Sequence, residues 1–143
     1  MIKRKRPKVV IDTNIWISFL IGKKLSSLKS LISNKSIQII VSDELIGEIE
    51  NVTNRPKLRK YFPQEKVNDF IKLLIIISTH YTIKVIEPIC RDSKDDFLLA
   101  LAKEAKADFL VTGDNDLLSI EKYGKTQIVE ANQFEQILKT EEK

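Results

Sequence analysis

Cysteine and histidine occur once each in the 143 residues, as Cys90 and His80. A single cysteine excludes an internal disulfide and suits a reducing cytoplasm, the location expected for this chain. A single histidine excludes a histidine dyad and a zinc site of Cys and His, and leaves Ser and Cys without a base for triad chemistry. His80 itself reads as a surface residue before Tyr81. Neither G-x-G-x-x-G nor G-x-x-x-x-G-K-[ST] is present, which removes the usual dinucleotide and nucleotide triphosphate sites. Glycine and proline number only four each, and no repeat or low-complexity segment interrupts an ordinary globular composition. No apolar run is long enough for a bilayer: Ile71 to Ile77 is short and contains Lys72, so no membrane association is expected. Val9 to Ile21 superficially resembles a secretory leader, but Asp12 and Asn14 interrupt it and no small-residue cleavage site follows, so no export signal is expected.

The length fits one domain, able to bury about two-thirds of its unfolded surface in a single core. Basic character is concentrated at one end. Lys3, Arg4, Lys5, Arg6 and Lys8 outnumber the whole formal charge of +4, so the remainder stands at −1. We therefore divide the chain into a basic tail, 1–8, and a domain, 9–139. The tail serves either as a phosphate contact or as a solvated terminus.

Val9, Val10 and Ile11 predict a short buried strand, because branching at Cβ stiffens χ1 and fits an enclosed pleated surface. Ile15 to Ile21 predict a helix apolar almost all round, with Asn14 as its N-cap and Trp16 in the core. Leu25, Leu28, Leu31 and Ile32 have helical spacing. Ile37 to Val41 make a second strand, and Ser42 caps a helix whose first turn holds Asp43 and Glu44. Leu45, Ile49 and Val52 are the buried stripe of that helix, with Glu48 on its border. Arg55, Lys57, Arg59 and Lys60, followed by Tyr61 and Phe62, form either a phosphate-contacting surface or a solvated turn with core aromatics. Pro63 opens a helix to about Thr79, in which Leu73, Ile75, Ile76 and Ile77 exceed one apolar face. That excess, with Trp16, suggests a dimer surface. Ile83 to Ile86, Phe109 to Thr112 and Gln127 to Val129 predict three further strands, separated by helices over Phe97 to Ala105 and Asn115 to Ile120; Phe134, Ile137 and Leu138 mark a last helix.

Strands alternating with helices imply parallel pairing through right-handed crossovers, hence a three-layer α/β/α sandwich with a five-stranded parallel sheet. The C-terminal ends of all strands then lie along one edge, where sites form. Asp12 ends the first strand, Glu48 lies on the helix after the second, Asp95 and Asp96 open the helix after the third, and Asp114 and Asp116 follow the fourth. Taken singly, Asp114 could cap a helix and Asp95 or Asp96 could complement a helix dipole. Neither role explains an acid that terminates an apolar strand, or why the acids gather at one edge. Two unit charges at about 4 Å repel by about 4 kcal/mol at an effective dielectric of 20, so such a cluster calls for protonation or a cation. Oxygen-only ligands select Mg²⁺ or Mn²⁺, and the chemistry implied is metal-assisted hydrolysis of a phosphodiester.

These residues resemble the PIN-domain nucleases. The resemblance is carried by Val9-Val-Ile-Asp12-Thr-Asn14, by Glu48 in Ser-Asp-Glu-Leu-Ile-Gly-Glu, by Asp95-Asp96-Phe-Leu-Leu-Ala-Leu-Ala, and by Thr112-Gly-Asp114-Asn-Asp116-Leu-Leu. It covers roughly Val9 to Phe134, and Arg55-Pro-Lys57-Leu is similar to a subgroup described as toxins of toxin-antitoxin pairs. The resemblance implies that Asp12, Glu48, Asp96 and Asp114 bind metal, with Asp116 an accessory acid and Asn14, Asp95 and Thr112 in support. It further implies Mg²⁺- or Mn²⁺-dependent cleavage of single-stranded RNA, a homodimer, and a small antitoxin partner. Arg55, Lys57, Arg59, Lys60 and Lys94 are the candidate RNA contacts. Two other classes compete: a PIN-like module that holds RNA or a partner without cutting, against which the intact acid set argues, and a phosphoryl-accepting receiver or phosphatase-like domain. The latter wants a second Asp two residues after the first, where Asn14 stands.

Overall fold

The computed structural model describes residues 6–21, 37–89 and 95–141. Among these are six strands and six helices: β1 (Lys8–Ile11), α1 (Thr13–Ile21), β2 (Gln38–Val41), α2 (Asp43–Thr53), α3 (Gln64–Ile77), β3 (Ser78–His80), α4 (Asp96–Ala105), β4 (Phe109–Val111), α5 (Asn115–Leu118), β5 (Lys122–Tyr123), β6 (Thr126–Val129) and α6 (Ala131–Glu141). The predicted helix over Leu25 to Ile32 lies outside the described residues.

The strands form one sheet in the order β3-β2-β1-β4-β6-β5. β1 pairs in parallel with both β2 and β4, as β2 does with β3 and β4 with β6. The chain travels outward one way from β1 through β2 to β3, then crosses back to β4 and continues the other way. Right-handed crossovers therefore place α1 to α3 on one face and α4 and α5 on the other, and α6, which follows β6, packs its Phe134 on Phe109 of β4. β1 lies at the centre, and Val9, Val10 and Ile11 have no exposed surface. Each such side chain contributes about 1.5–3 kcal/mol by leaving water. Leu45, Ile49 and Val52 of α2 are buried, and every residue from Phe97 to Ala102 of α4 is buried.

Three expectations are corrected. The third strand is Ser78–His80, not Ile83 to Ile86. α3 stops at Ile77, Ser78 turns extended (φ −106°, ψ 166°), and the three strand residues pair at once with Ile39, Ile40 and Val41. With that place beside β2 filled, the β-branched run has no ladder to join, and Val85 and Ile86 are exposed. The sheet also has six strands rather than five and is not wholly parallel, because β5 and β6 form an antiparallel hairpin. Its turn places Gly124 at φ +60°, the left-handed conformation glycine adopts without cost. Asn14 is not the cap of α1. The Asp12 carbonyl accepts from the Ile15 and Trp16 amides at 3.0 and 3.2 Å, so Asp12 holds the cap position. Trp16 is in the core as expected, so its ring adds nothing to the exposed surface around it: it is 1% exposed and packs against Phe19 and Phe70. Leu73, Ile75, Ile76 and Ile77 are indeed exposed.

Candidate active site

The sheet reverses its direction of winding between β1 and β4, and open α/β sheets leave a crevice at the carboxyl ends of such strands. Asp12 stands there. Its amide donates to the Val111 carbonyl at 2.9 Å, so the residue closes the β1–β4 ladder while its carbonyl starts α1. The side chain is 5% exposed. The Thr112 hydroxyl donates to its Oδ2 at 2.6 Å, and the Asn14 and Thr13 amides add weaker bonds. Burial pushes the Asp12 carboxyl above the usual aspartate range; the Thr112 bond and the two amides oppose that rise, and the nearby Asp114 charge adds to it. Among the described residues, no basic side chain is among the groups acting on Asp12.

Thr112 is fixed from both sides. Its amide donates to Val129 O at 3.0 Å, and its hydroxyl accepts from the Asp114 amide, also at 3.0 Å. The ends of β6, β4 and β1 are thereby joined through one residue. Asp114 caps α5, its Oδ1 accepting from the Asp116 and Leu117 amides at 2.7 and 3.4 Å. The capping carboxylate is also near enough to act on Asp12 through its charge. Asp116 is half-buried in the first turn of α5.

Between the doubled acids, the fold distinguishes sharply. Asp96 is 4% exposed, begins α4, and accepts from the Ile89 amide at 3.1 Å. Asp95 is half-buried, has helical backbone angles and makes no capping bond. The Asp96 charge also raises the Tyr123 phenol, behind the larger effects of burial and of Glu87. Glu48 is half-buried on α2 and lines a groove of about 530 Å³ that reaches Phe97, the residue after Asp96. Arg55 lines the same groove, while Lys57, Arg59 and Lys60 are exposed on the turn between α2 and α3. Of the two aromatics there, Phe62 is buried and Tyr61 is exposed beneath the Lys60 ammonium, 5.0 Å from its ring centre. Lys94 lies outside the described residues. His80 is at the sheet's edge, its Nε2 2.8 Å from Asp43 Oδ1.

The donors suit a hard divalent ion in kind: all are oxygens, and a buried carboxylate with a like charge beside it gains from a cation. The Thr13 hydroxyl, next to Asp12, is buried without a hydrogen-bond partner among the described residues. Convergence is less complete, since among the described residues no three His, Cys, Asp or Glu side chains lie close enough together to hold an ion. Thr13, Phe97 and Tyr123 were not singled out from sequence. Only Thr13 carried a signal, a hydroxyl adjoining the strand-ending acid.

Comparison with known proteins agrees with this architecture. The PIN domain family profile matches residues 8–116. An uncharacterized protein of Methanocaldococcus jannaschii is 37% identical over 125 residues, covering 82% of this chain and 77% of that protein. Among solved structures, PAE2754 from Pyrobaculum aerophilum superposes with a TM-score of 0.62 at 13% identity, covering 94% of this chain and 91% of that one. The Mycobacterium tuberculosis toxin VapC20, described as cleaving the sarcin-ricin loop, gives 0.58 at 11% identity over 83% of this chain and 98% of that one. VapBC2 from Rickettsia felis, solved with a fragment of its promoter DNA, gives 0.55 at 15% identity over 85% and 96%. Likeness at these identities is one of fold.

Proposed function

The chain belongs to the PIN-domain family, and from that premise we propose that it is a metal-dependent ribonuclease acting on single-stranded RNA. The observation that carries this reading is Asp12: a carboxylate buried at the sheet's switch point, held by Thr112, with the Asp114 charge beside it and no basic side chain of the described residues acting on it. Asp12, Asp114, Asp96 and Glu48 would hold Mg²⁺ or Mn²⁺, with Asp116 as an accessory acid and Asn14, Thr112 and Asp95 in support. The ion supplies neutralisation of phosphate charge and activation of water at neutral pH. The protein's own part is positional. Thr112 fixes the Asp12 carboxylate, the Ile89 amide fixes Asp96, and the α5 amides fix Asp114. Arg55, Lys57, Arg59, Lys60 and Lys94 steady the RNA backbone.

We assign the chain as the toxin of a toxin-antitoxin pair, with a small antitoxin as partner and a homodimer formed through the exposed apolar side chains of α3. Two of the structural relatives are VapC or VapBC proteins, which supports this assignment. No helix among the described residues is long and apolar enough to cross a membrane. One observation favours a second reading, a PIN-like module that binds RNA or a partner without cutting: the acids do not form a ready cluster of three among the described residues.

A paired measurement separates the two. Wild type and Asp96→Asn are assayed for Mn²⁺-dependent cleavage of single-stranded RNA and for thermal stability in EDTA. Wild type should cleave only with metal, and the variant should be inactive yet as stable as wild type, since Asn keeps an acceptor for the Ile89 amide. Full activity of the variant, or wild-type activity in EDTA, overturns the mechanism. RNA binding without cleavage by wild type selects the second reading.

A further inference from the structure

We propose that the groove between α2 and Phe97 is the subsite for one nucleotide of the single-stranded RNA, and that Gly47 is kept small to form its floor; this rests on the ribonuclease reading above. Gly47 lies within α2, where glycine costs about 1 kcal/mol relative to alanine because it fixes a freer backbone. The fold does not require it. Its backbone is not left-handed, and a Cβ added there would meet nothing within 4 Å. The rest of α2 is built for stability: Ser42 Oγ accepts from the Leu45 amide at 3.2 Å, Asp43 and Glu44 sit at the favourable end of the dipole, and Leu45, Ile49 and Val52 are buried. A helix otherwise so regular carries its one weak residue where that residue opens space into the groove.

The groove's volume, about 530 Å³, falls within the range of small-ligand sites, about 300–1,000 Å³. Its lining matches the three parts of a nucleotide. Phe97 and Val52, each 9% exposed, show an apolar edge to a base, and Asn51 offers an amide donor and acceptor for the base edge. Arg55, exposed and outside the ion pairs of the described residues, is placed for a phosphate. Gly47, Glu48 and Asn51 follow one side of α2 at helical spacing, turned away from the Leu45–Ile49 stripe, and Arg55 continues that line just past the helix end. Because Glu48 lines the groove and Phe97 adjoins Asp96, a nucleotide seated here has its phosphodiester beside the candidate acids.

Gly47→Ala and Gly47→Leu test the assignment, read by thermal stability, by fluorescence anisotropy with a labelled short single-stranded RNA, and by Mn²⁺-dependent cleavage of the same RNA. Both substitutions should raise the melting temperature. RNA affinity should fall in the order Gly, Ala, Leu, by about tenfold or more for Leu, as expected when a side chain fills a ligand subsite. A structural role for Gly47 predicts the reverse, loss of stability together with binding. Gly47→Leu that binds RNA as wild type does overturns the subsite and leaves the nuclease reading intact. Wild type that binds without cleaving, with affinity lost in Gly47→Leu, overturns the nuclease reading and keeps the subsite. Wild type that does neither overturns both.

Discussion

Thr112 donates to Asp12 across the junction of β4 and β1, and the 2.6 Å bond is buried. The same hydroxyl accepts from the Asp114 amide, so both of its hydrogen-bonding functions are used. Thr112→Val preserves shape but strands a carboxylate oxygen and an amide, and should lower stability by about 1–3 kcal/mol. RNA cleavage should fall with it, because Asp12 loses its orienting partner. Thr112→Ser should recover most of both losses in denaturant titration and cleavage assays; a Val variant as stable as wild type would remove the positioning role.

Asp12 also makes stability depend on pH. Its folded-state carboxyl lies above the usual aspartate range, so the folded chain holds that proton more tightly than the unfolded chain. The stability this supplies is present at low pH and is lost as pH rises from about 4 through the raised value. Asp12→Asn lacks the loss. In EDTA, its melting temperature relative to wild type should therefore climb between acidic and neutral pH, and a constant difference across that range would contradict the burial argument. With Mg²⁺ present, wild type should regain stability at neutral pH and the variant should not.

The cations after α2 make a prediction about salt. Neutralising Arg55, Lys57 and Arg59 together, in an Asp96→Asn background, should flatten the dependence of RNA affinity on salt concentration, since each phosphate contact releases counterions. An unchanged slope would assign these exposed side chains to solvation alone.

On α3, Ile76 is 78% exposed, with Leu73, Ile75 and Ile77 around it. The proposed homodimer would cover this apolar surface. Leu73→Glu with Ile76→Glu should shift sedimentation from dimer to monomer without lowering the melting temperature of the monomer. A wild type that sediments as a monomer at every concentration would refute the homodimer.

The elements around Asp12 were legible because burial there is complete: three β-branched residues ending in an acid fit a central strand that delivers one polar side chain to the sheet's edge, and they fit little else. β3 was not legible. Ser-Thr-His sits at the sheet's edge with half-exposed side chains, so its strand character comes from pairing with β2 and leaves no mark in hydrophobic pattern. The same argument explains why Ile83 to Ile86 misled. The two-residue β5 was too short to show a period, although Gly124-Lys125 carried the signal of a tight hairpin. For the doubled acids, sequence favoured Asp96 over Asp95 through the family spacing alone, and it could not show that Asp96 is buried while Asp95 is half-buried. It also set cap against site at Asp114, where the cap is observed and the charge reaches Asp12 as well. Gly47 went unread because a glycine's use of empty space cannot be seen until its neighbours are placed.

The bond from the Ile89 amide to Asp96 has a spectroscopic consequence. Ile89 lies in an irregular, largely exposed stretch that is tied down at Glu87, whose Oε1 accepts from Lys103 at 2.9 Å and Tyr123 at 3.2 Å. The Ile89 amide is shared between this carboxylate of Asp96 and the Glu87 carbonyl, 3.0 Å away, and the two bonds together slow its exchange with solvent. Its deuterium uptake therefore reports in part on how Asp96 is engaged: a group that draws on Asp96 Oδ1 competes with one of the two bonds, and exchange at this backbone position should rise without any turnover.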